Sequence, residues 1–410
     1  MSLISVESAR KRILAQFHPV GTELLPLTDC TRRVLATGIT ADHDLPSFDN
    51  SSMDGFAVQV ADLAGASPTT PCRLQVVADI PAGKSSDATL TSGQAARIMT
   101  GAQLPAGADA VIPVEDTDYQ ERKPGTPAPD QVLVYRSVER GAFIREQGMD
   151  VRSGQPVLDA GHVLRAQDIG LMAMLGVADV TVHRKPRVAL LSSGDELIPV
   201  DEPLRPGKIR DSNTYTLSVL LEESGCLVVR LGIAADNRRS VAGLLEGAAR
   251  EQVDLILSSA GVSVGAFDYI KDVVASQGEL DFWRVNMRPG KPLAVGSFQG
   301  IPFIGLPGNP VSAFVAFEVF VRPSLDRLSG RQTAPRPRVS VRLAEAVTSD
   351  GRESYLRANV HEGTDGLTAQ LAGHQGSGNL LSIVRANALL IVPAGVKSLA
   401  AGEQLDAWLL

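Results

Sequence analysis

Cysteine and aromatic residues are scarce in this 410-residue chain. Its three cysteines, Cys30, Cys72 and Cys226, are far apart and lack the spacing of metal ligands. This argues against a disulfide framework and against a cysteine-rich zinc site. Aromatic residues make up only 4% of the sequence, whereas there are 38 glycines and 25 prolines. We therefore expect many tight turns and cores packed with small side chains.

Long hydrophobic runs and an excess of positive charge are also missing. No stretch approaches the roughly 18 uninterrupted apolar residues of a membrane-spanning helix. No apolar segment follows the basic residues Arg10, Lys11 and Arg12 near the start. The sequence thus predicts neither a membrane span nor a signal peptide, and we expect a cytoplasmic protein. The net charge of −7 argues against nucleic-acid binding, so an anionic ligand needs a local basic pocket.

The pattern of apolar residues predicts an α/β plus β protein with several domains. Apolar strands alternate with amphipathic helices in the region 186–330, which is typical of a three-layer α/β/α domain around a parallel sheet. Short β-type runs separated by turn residues fill the regions 43–142 and 339–410. The predicted domains are a discontinuous N-terminal domain (1–42 and 143–178), an inserted β-rich domain (43–142), the α/β domain (179–330) and a C-terminal small β-barrel or sandwich (335–410).

Within the α/β domain the apolar periodicity predicts five strands and four helices. The predicted strands are Arg187–Leu191, Leu227–Ile233, Asp254–Ser258, Phe282–Val285 and Phe303–Gly305. The predicted helices lie near 212–224, 238–251, 268–277 and 311–329.

Outside the α/β domain, we predict an amphipathic helix within residues 1–20, a turn and a second short helix in 21–42, and a helix at Ala166–Leu175. Strands of the inserted domain are predicted at Phe56–Val60, Leu74–Asp79, Gln94–Met99, Ala110–Pro113 and Gln131–Tyr135. Strands of the C-terminal domain are predicted at Val339–Leu343, Leu356–Val360, Leu367–Leu371, Ala388–Val392 and Gln404–Leu409.

Glycine-bearing loops follow three of the predicted parallel strands. Ligands of an open parallel sheet bind beyond the carboxyl ends of the strands, and backbone N–H groups of such loops suit phosphate oxygens. One of these turns, 307–310, holds two prolines and a glycine just before a helix, so it is rigid. The predicted ligand-binding residues in these loops are Ser193, Gly194, Gly261, Ser263, Gly265, Gly308 and Asn309.

Charged residues lie close to the same loops in the sequence. Neither a Walker A motif nor a dinucleotide fingerprint is present, so a nucleotide-hydrolysing motor and a nicotinamide enzyme are poorly supported. Lys271, Arg288 and Lys291 are the cations predicted to bind an anion, although each one alone is typical of a solvated surface.

Three carboxylates recur at these strand ends, namely Glu196, Asp236 and Asp268. Helix capping explains Asp236 and Asp268 individually. As a group the three carboxylates can hold a hard divalent cation that bridges phosphate oxygens, as Mg²⁺ does.

Together, these segments resemble the MoeA family, the molybdopterin molybdenumtransferases, which includes the E domain of gephyrin. The similar stretches occur in family order over nearly the whole chain. They are PSFDNSSMDGFAV (46–58), RIMTGAQLPAGADAVIPVE (97–115), REQGMDV (145–151), LLSSGDEL (190–197), KIRDSN (208–213), SSAGVSVGAFDYIK (258–271), FWRVNMRPGKP (282–292) and GLPGNPVSAF (305–314).

The resemblance implies an elongated four-domain subunit and a homodimer whose active cleft lies between the α/β domain of one subunit and the inserted β domain of the other. It implies a reaction of adenylylated molybdopterin with molybdate that gives molybdenum cofactor and AMP, with Mg²⁺ or another divalent ion. Molybdopterin adenylyltransferase and molybdoenzymes are candidate partners, whereas nucleic acid and membrane are not.

The resemblance also implies roles for particular residues. Catalytic positions would be Asp54, Thr100, Asp150, Glu196, Asp236, Asp268, Pro307 and Pro310, with a metal-binding role for Asp236, Asp268 and Glu196. Arg288, Lys291, Arg357 and Ser382 would bind the molybdate oxyanion. Three positions depart from the family pattern: Arg288 replaces a common lysine, Ala260 replaces a glycine, and Ala266 replaces a residue that is often acidic.

Three other functions compete with molybdenum insertion. The related adenylyltransferase shares the α/β domain but is usually far shorter than this chain. A non-catalytic scaffold is a second alternative, although the acidic residues and the proline turn argue against it. A tungstate-specific enzyme is the third, because tungstate and molybdate are nearly the same size and shape.

Overall fold

The computed structural model describes residues 3–85, 87–119, 125–259, 269–332, 336–363 and 366–410, apart from the side chain of Phe282. The chain forms two compact units. The β unit comprises Gly38–Asp159 and Met174–Gly176, and the main unit comprises Met1–Thr37, Ala160–Ala173 and Val177–Leu410. Among the described residues, the helices are too short or too polar to cross a membrane.

Eight α-helices lie in the described ranges. They are α1 (Val6–Leu14), α2 (Ala166–Met174), α3 (Asn213–Glu223), α4 (Arg238–Arg250), α5 (Tyr269–Gln277), α6 (Pro310–Ala316), α7 (Arg322–Leu328) and α8 (Leu380–Val384). A π-helical segment, Phe317–Val321, connects α6 directly to α7.

The strands are numbered in chain order over the same ranges. They are β1 (Thr22–Pro26), β2 (Ile39–Thr40), β3 (Asn50–Ser51), β4 (Gly55–Val58), β5 (Cys72–Ile80), β6 (Gln94–Ile98), β7 (Ala110–Pro113), β8 (Gln131–Val134), β9 (Ile144–Arg145), β10 (Pro156–Leu158), β11 (Asp179–His183), β12 (Arg187–Ser193), β13 (Leu197–Ile198), β14 (Ile209–Arg210), β15 (Leu227–Ala234), β16 (Leu255–Ser259), β17 (Gly278–Arg284), β18 (Met287–Arg288), β19 (Pro292–Phe298), β20 (Ile301–Leu306), β21 (Arg338–Leu343), β22 (Val347–Thr348), β23 (Glu353–Gly363), β24 (Gly366–Leu371), β25 (Ala388–Val392), β26 (Ser398–Leu399) and β27 (Gln404–Leu409).

A six-stranded sheet forms the centre of the main unit, in the order β15-β12-β16-β20-β19-β17. The first four of these strands are parallel. Successive side chains of a strand point to opposite faces, and here they enter two different cores. Leu190 packs with residues of α1, α3 and α6, whereas its neighbour Leu191 packs with residues of α4 and α5. The predicted three-layer α/β/α domain is therefore confirmed.

Two features of the main unit differ from the sequence prediction. The strand β19 was not predicted, and it pairs antiparallel with both β20 and β17, so one edge of the sheet is antiparallel. The short helix expected in 21–42 is also wrong. That region contains β1, which pairs with β11, and a 3-10 turn at Leu27–Asp29. The pairing of β1 with a strand about 150 residues away overrides the local apolar spacing.

The C-terminal part of the main unit is a closed barrel. Its five strands pair in the order β23-β24-β21-β27-β25, and β25 closes the ring by pairing with β23. The short strand β18 adds to the outside of β23. Alternate side chains such as Leu356, Ala358 and Val360 fill the interior. Closure removes the exposed sheet edges that open β-sheets have to protect.

The β unit is built around a five-stranded sheet in the order β7-β4-β6-β5-β8. Phe56 and Val58 of β4 face one hydrophobic cluster, while Ala57 between them faces another. The five strands predicted for this region are therefore confirmed. The positions of the four predicted domain boundaries stay a prediction.

A buried ion-pair network stabilises the helix formed by α6, the π-helical segment and α7. The Glu318 side chain is fully buried and accepts hydrogen bonds from Arg322 Nε at 2.7 Å and Arg336 Nε at 2.6 Å. Burial opposes ionisation of Glu318, but the hydrogen bonds from the two arginines outweigh it and lower the pKa of the carboxyl group. Arg336 also donates to the carbonyl of Leu409, which connects this network to the barrel.

Removal of Glu318 tests this network. We expect Glu318→Ala to lower the free energy of unfolding by about 3–5 kcal/mol, because two partly buried arginines lose their counter-ion. Thermal unfolding should show a transition lowered by several degrees. As a control, Glu222→Ala removes an exposed ion pair with Arg230 and should cost less than about 1 kcal/mol. Equal effects of the two substitutions would contradict the assigned role of Glu318.

Candidate active site

The carboxyl ends of the parallel strands surround a cavity in the main unit. Its volume is about 430 Å³. Side chains and backbone from four sheet-edge loops form its wall, including Glu196, Asp211, Asn213, Ser259, Pro307 and Asn309. This is the edge at which a parallel α/β sheet binds its ligands, as the sequence predicted.

The loops after β12 and β15 hold each other through reciprocal hydrogen bonds. The carboxylate of Asp236 accepts from Ser193 Oγ at 3.1 Å and from the backbone N–H of Asp195 at 3.3 Å. In return, the backbone N–H of Asp236 donates to Asp195 Oδ1 at 3.0 Å. These bonds fix the orientation of Asp236 at the sheet edge, where it is half-buried.

Glu196 lies directly over Gly194. A Cβ atom at residue 194 would be 2.7 Å from Glu196 Oε2, and Gly194 has a φ of +151°. This backbone conformation favours glycine, and the missing side chain leaves room for the Glu196 carboxylate. The exposed Glu196 contributes to the cavity wall, while Asp236 is held by the same 193–196 loop through Ser193 and Asp195.

Asn213 connects the other two loops. It is the first residue of α3 and is 8% exposed. Its Nδ2 donates to Ser259 Oγ at 2.7 Å, at the end of β16, and to the carbonyl of Gly308 at 2.8 Å, in the turn after β20. The sequence analysis did not select Asn213 as a site residue, although the KIRDSN stretch contains it.

The 307–310 turn is joined to the barrel by the loop 374–377. Asn309 Nδ2 donates to Ser377 Oγ at 3.1 Å, and the N–H of Val311 donates to the Ser377 carbonyl at 3.0 Å. Asn309 also caps α6, since its carbonyl accepts from the N–H of Ala313. The same barrel loop contacts the buried arginine of β23 through Gly376.

That arginine, Arg357, is 1% exposed. Its Nε donates to Ser382 Oγ at 3.0 Å and its Nη2 donates to the Gly376 carbonyl at 3.1 Å. Burial and, to a lesser degree, the charge of Arg288 lower the pKa of Arg357 to about 10. Among the described residues, the guanidinium donates to a hydroxyl and to carbonyl groups, so dipoles solvate its charge.

The predicted oxyanion residues therefore fall into one region. Arg288 belongs to β18, which pairs with the start of the strand that carries Arg357, while Ser382 contacts Arg357 directly. Lys291 is exposed three residues after Arg288. An arginine that is charged, buried and bonded to no carboxylate in the described part of the chain suits an anionic ligand.

Two of the predicted residues in the β unit also meet. Asp54 Oδ1 accepts from both the N–H and the Oγ of Thr100, each at 2.7 Å. Asp150 lies elsewhere in the unit and pairs with Arg145 at 2.6 Å. The Asp54–Thr100 contact gives the carboxylate a fixed direction, and its functional role stays a prediction.

Some predicted residues are outside the described ranges. They are Gly261, Ser263, Gly265 and Asp268. Ala260 and Ala266, which depart from the family pattern, also lie outside these ranges. Lys271 is described and lies in the first turn of α5 with an exposed side chain.

The described residues contain no group of three or more His, Cys, Asp or Glu side chains arranged to hold a metal ion. Of the predicted trio Glu196, Asp236 and Asp268, only Glu196 and Asp236 lie within the described residues. Two carboxylates are nevertheless a chemically suitable set for Mg²⁺, which binds one or two carboxylates and completes its shell with water and substrate phosphates.

Family models match three parts of the chain. Residues 4–176 match the MoeA N-terminal region (domains I and II), residues 189–327 match a probable molybdopterin binding domain, and residues 340–410 match the MoeA C-terminal region (domain IV). The second match contains all the strand-end loops that surround the cavity.

Individual relatives are similar over nearly the full length. Molybdopterin molybdenumtransferase 2 of Mycobacterium tuberculosis is 39% identical over 410 residues, covering 98% of this chain and 99% of that protein. Molybdopterin molybdenumtransferase of Nostoc sp. is 38% identical and covers 94% of this chain and 88% of the relative. A crystal structure of a molybdopterin biosynthesis MoeA protein from Pyrococcus horikoshii has a TM-score of 0.84 at 30% identity and covers 100% of both chains.

Ligand-induced stabilisation tests the proposed anion site at Arg357. Molybdate should raise the unfolding temperature of the wild type, because a ligand at a hundredfold excess over its Kd stabilises by about 2.7 kcal/mol. Arg357→Gln removes the charge and should abolish this shift. Arg73→Gln, which changes an exposed arginine of the β unit that contacts Gln131, should retain it. An unchanged shift in Arg357→Gln would exclude Arg357 from oxyanion binding.

Proposed function

The chain belongs to the MoeA family and is a molybdenum-inserting transferase of molybdenum cofactor biosynthesis, and we propose that the main unit binds adenylylated molybdopterin and molybdate at adjoining subsites. The observation that carries this proposal is the loop 374–377. It contacts the 307–310 turn through Ser377 and Arg357 through Gly376, so the cavity wall and the buried guanidinium share one support.

The cavity at the sheet edge is the proposed subsite for the adenylylated substrate. Its volume of about 430 Å³ lies within the roughly 300–1,000 Å³ of small-molecule sites. The backbone N–H groups of Gly308 and Asn309 in the 307–310 turn are suited to bind phosphate oxygens. The anion is thus held by local dipoles, although the protein as a whole carries a net charge of −7.

The region around Arg357 is the proposed molybdate subsite. Molybdate is a tetrahedral dianion, and a guanidinium that already contacts Ser382 needs little reorganisation to bind it. Arg288 and Lys291 add positive charge nearby. Arg288 provides a planar set of donors where many relatives have the point charge of a lysine.

We further propose that a divalent ion, Mg²⁺ in the simplest case, binds at Asp236 and Glu196. The hydrogen bonds from Ser193 Oγ and the Asp195 N–H hold the Asp236 carboxylate in place, which reduces the entropy lost when it becomes a ligand. When bound, the ion would neutralise negative charge on the phosphoanhydride of the substrate. The metal-transfer chemistry itself belongs to the dithiolene of molybdopterin, so the chain needs no nucleophile of its own.

The proposed reaction is tested with purified protein, adenylylated molybdopterin, Mg²⁺ and molybdate. We expect release of AMP and reconstitution of a cofactor-free molybdoenzyme. Omission of Mg²⁺ should slow the reaction. Asp236→Asn should slow it by about 10–100-fold, whereas the surface variant Asp201→Asn should not. An intact protein that releases no AMP would contradict the proposal, as would consumption of ATP with free molybdopterin, which is the adenylyltransferase reaction.

We also propose that the enzyme is a homodimer in which the partner subunit's Asp54 and the partner's Thr100 complete the site. Support comes from the Asp54–Thr100 contact, which holds an exposed carboxylate in a fixed direction at the surface of the β unit. Most oligomeric proteins of this kind have two-fold symmetry, so each dimer would contain two equivalent sites.

Mixing two inactive variants tests the shared site. Asp54→Ala and Asp236→Ala should each be inactive alone. After co-refolding, about half of the dimers would be mixed, and each mixed dimer would have one intact site of two, so about a quarter of wild-type activity should return. A monomer in light scattering, or no recovery in a mixture shown to contain mixed dimers, would contradict the shared site.

A further inference from the structure

We infer that Asn213 is a positioning residue that sets the direction of the anion-binding N–H groups in the 307–310 turn. This inference rests on the proposed function, because it concerns the subsite for the adenylylated substrate. Asn213 is buried and contacts two loops of the cavity at once. The groups proposed above to bind the anions and the metal ion lie on other residues.

The two hydrogen bonds of Asn213 span the sheet edge. One proton of Nδ2 is donated to Ser259 Oγ at 2.7 Å and the other to the Gly308 carbonyl at 2.8 Å. Both distances are short for N–H···O bonds. Ser259 is the last residue of β16 and is itself buried. A single amide group therefore fixes the separation between the end of β16 and the turn that follows β20.

The bond to Gly308 has a directional consequence. The Gly308–Asn309 peptide bond is trans, so the Gly308 carbonyl and the Asn309 N–H point in opposite directions. The hydrogen bond from Asn213 holds this carbonyl towards α3, and the Asn309 N–H therefore points away from α3. Within the described ranges no acceptor is paired with the Asn309 N–H, and residue 309 is exposed and contributes to the cavity wall. This N–H is consequently available to a phosphate oxygen.

The residue type matters because both acceptors face one nitrogen. An aspartate at position 213 would place a carboxylate oxygen against the Gly308 carbonyl, and the repulsion would rotate the peptide unit. A serine would be too short to reach both acceptors. Only an amide of this length donates two hydrogen bonds from one atom.

The test compares AMP binding and steady-state kinetics for the wild type, Asn213→Asp and Asn213→Ser. AMP binding by calorimetry should weaken about tenfold or more in Asn213→Asp, where a misdirected donor and a repulsive contact act together. It should weaken by about threefold to tenfold in Asn213→Ser, where the donor is misdirected without the repulsive contact. The KM for adenylylated molybdopterin should rise by a similar factor. The KM for molybdate should stay within about twofold of the wild type, because Arg357 and Ser382 are unchanged.

A matched control comes from a second asparagine clamp, in the barrel. Asn387 accepts from the Val360 N–H at 2.7 Å and donates to the Val360 carbonyl at 2.8 Å. Asn387→Asp loses the same type of bond outside the cavity wall. This substitution should lower the unfolding temperature without changing the ratio of the KM values for adenylylated molybdopterin and molybdate. That combination is the result expected of a purely structural effect.

The pH dependence gives an independent readout. A protonated aspartate regains one donor, so AMP affinity of Asn213→Asp relative to wild type should increase as pH falls from 8 towards about 5. The other charged groups of the cavity wall, Glu196, Arg210 and Asp211, are present in both proteins.

Two outcomes would overturn the inference. One is AMP affinity equal to wild type in folded Asn213→Ser; the other is an equal rise of both KM values. If Asn213→Asp does not fold, Asn213→Ser decides. If the wild type is active and the variants keep its AMP affinity, only the role of Asn213 is rejected. If the wild type neither binds nor releases AMP, the proposed function is rejected as well.

Discussion

The parallel register of β12, β16 and β20 is the constraint on which the rest of the main unit depends. Because these strands run in the same direction, their carboxyl ends meet at one edge and leave polar loop groups there without sheet partners. The two helical layers and the barrel can vary around this edge, but the loops cannot be moved apart without breaking the sheet. Hydrogen bonds of Asp236 and Asn213 then convert the edge into a rigid wall.

The bounds of α3 and α4 in the main unit were predictable from the sequence. The predicted helix near 238–251 is α4, Arg238–Arg250, and that near 212–224 is α3, Asn213–Glu223. Each has an apolar face that must be buried on the sheet, so periodicity alone is sufficient. The strands β25 and β27 were also predicted with correct bounds, because turn residues flank short apolar runs on both sides.

Features that depend on distant partners were not predictable. The strand β19 begins at Pro292, directly after a rigid turn, and contains Gly296, so its composition resembles a loop. It becomes a strand because β17 and β20 both supply hydrogen bonds to it. Asn213 was missed for the same reason. Its two acceptors are 46 and 95 residues away, and no local pattern shows that they meet.

We predict that one wall of the main unit carries two anion subsites. A crystal soaked with AMP and molybdate shows directly where the two anions bind. Anomalous scattering should place molybdenum beside Arg357 and Ser382, with the AMP phosphate next to the 307–310 turn and joined to it by the Asn309 N–H. Molybdenum bound away from Arg357, or a phosphate bound at another face of the main unit, would contradict the account.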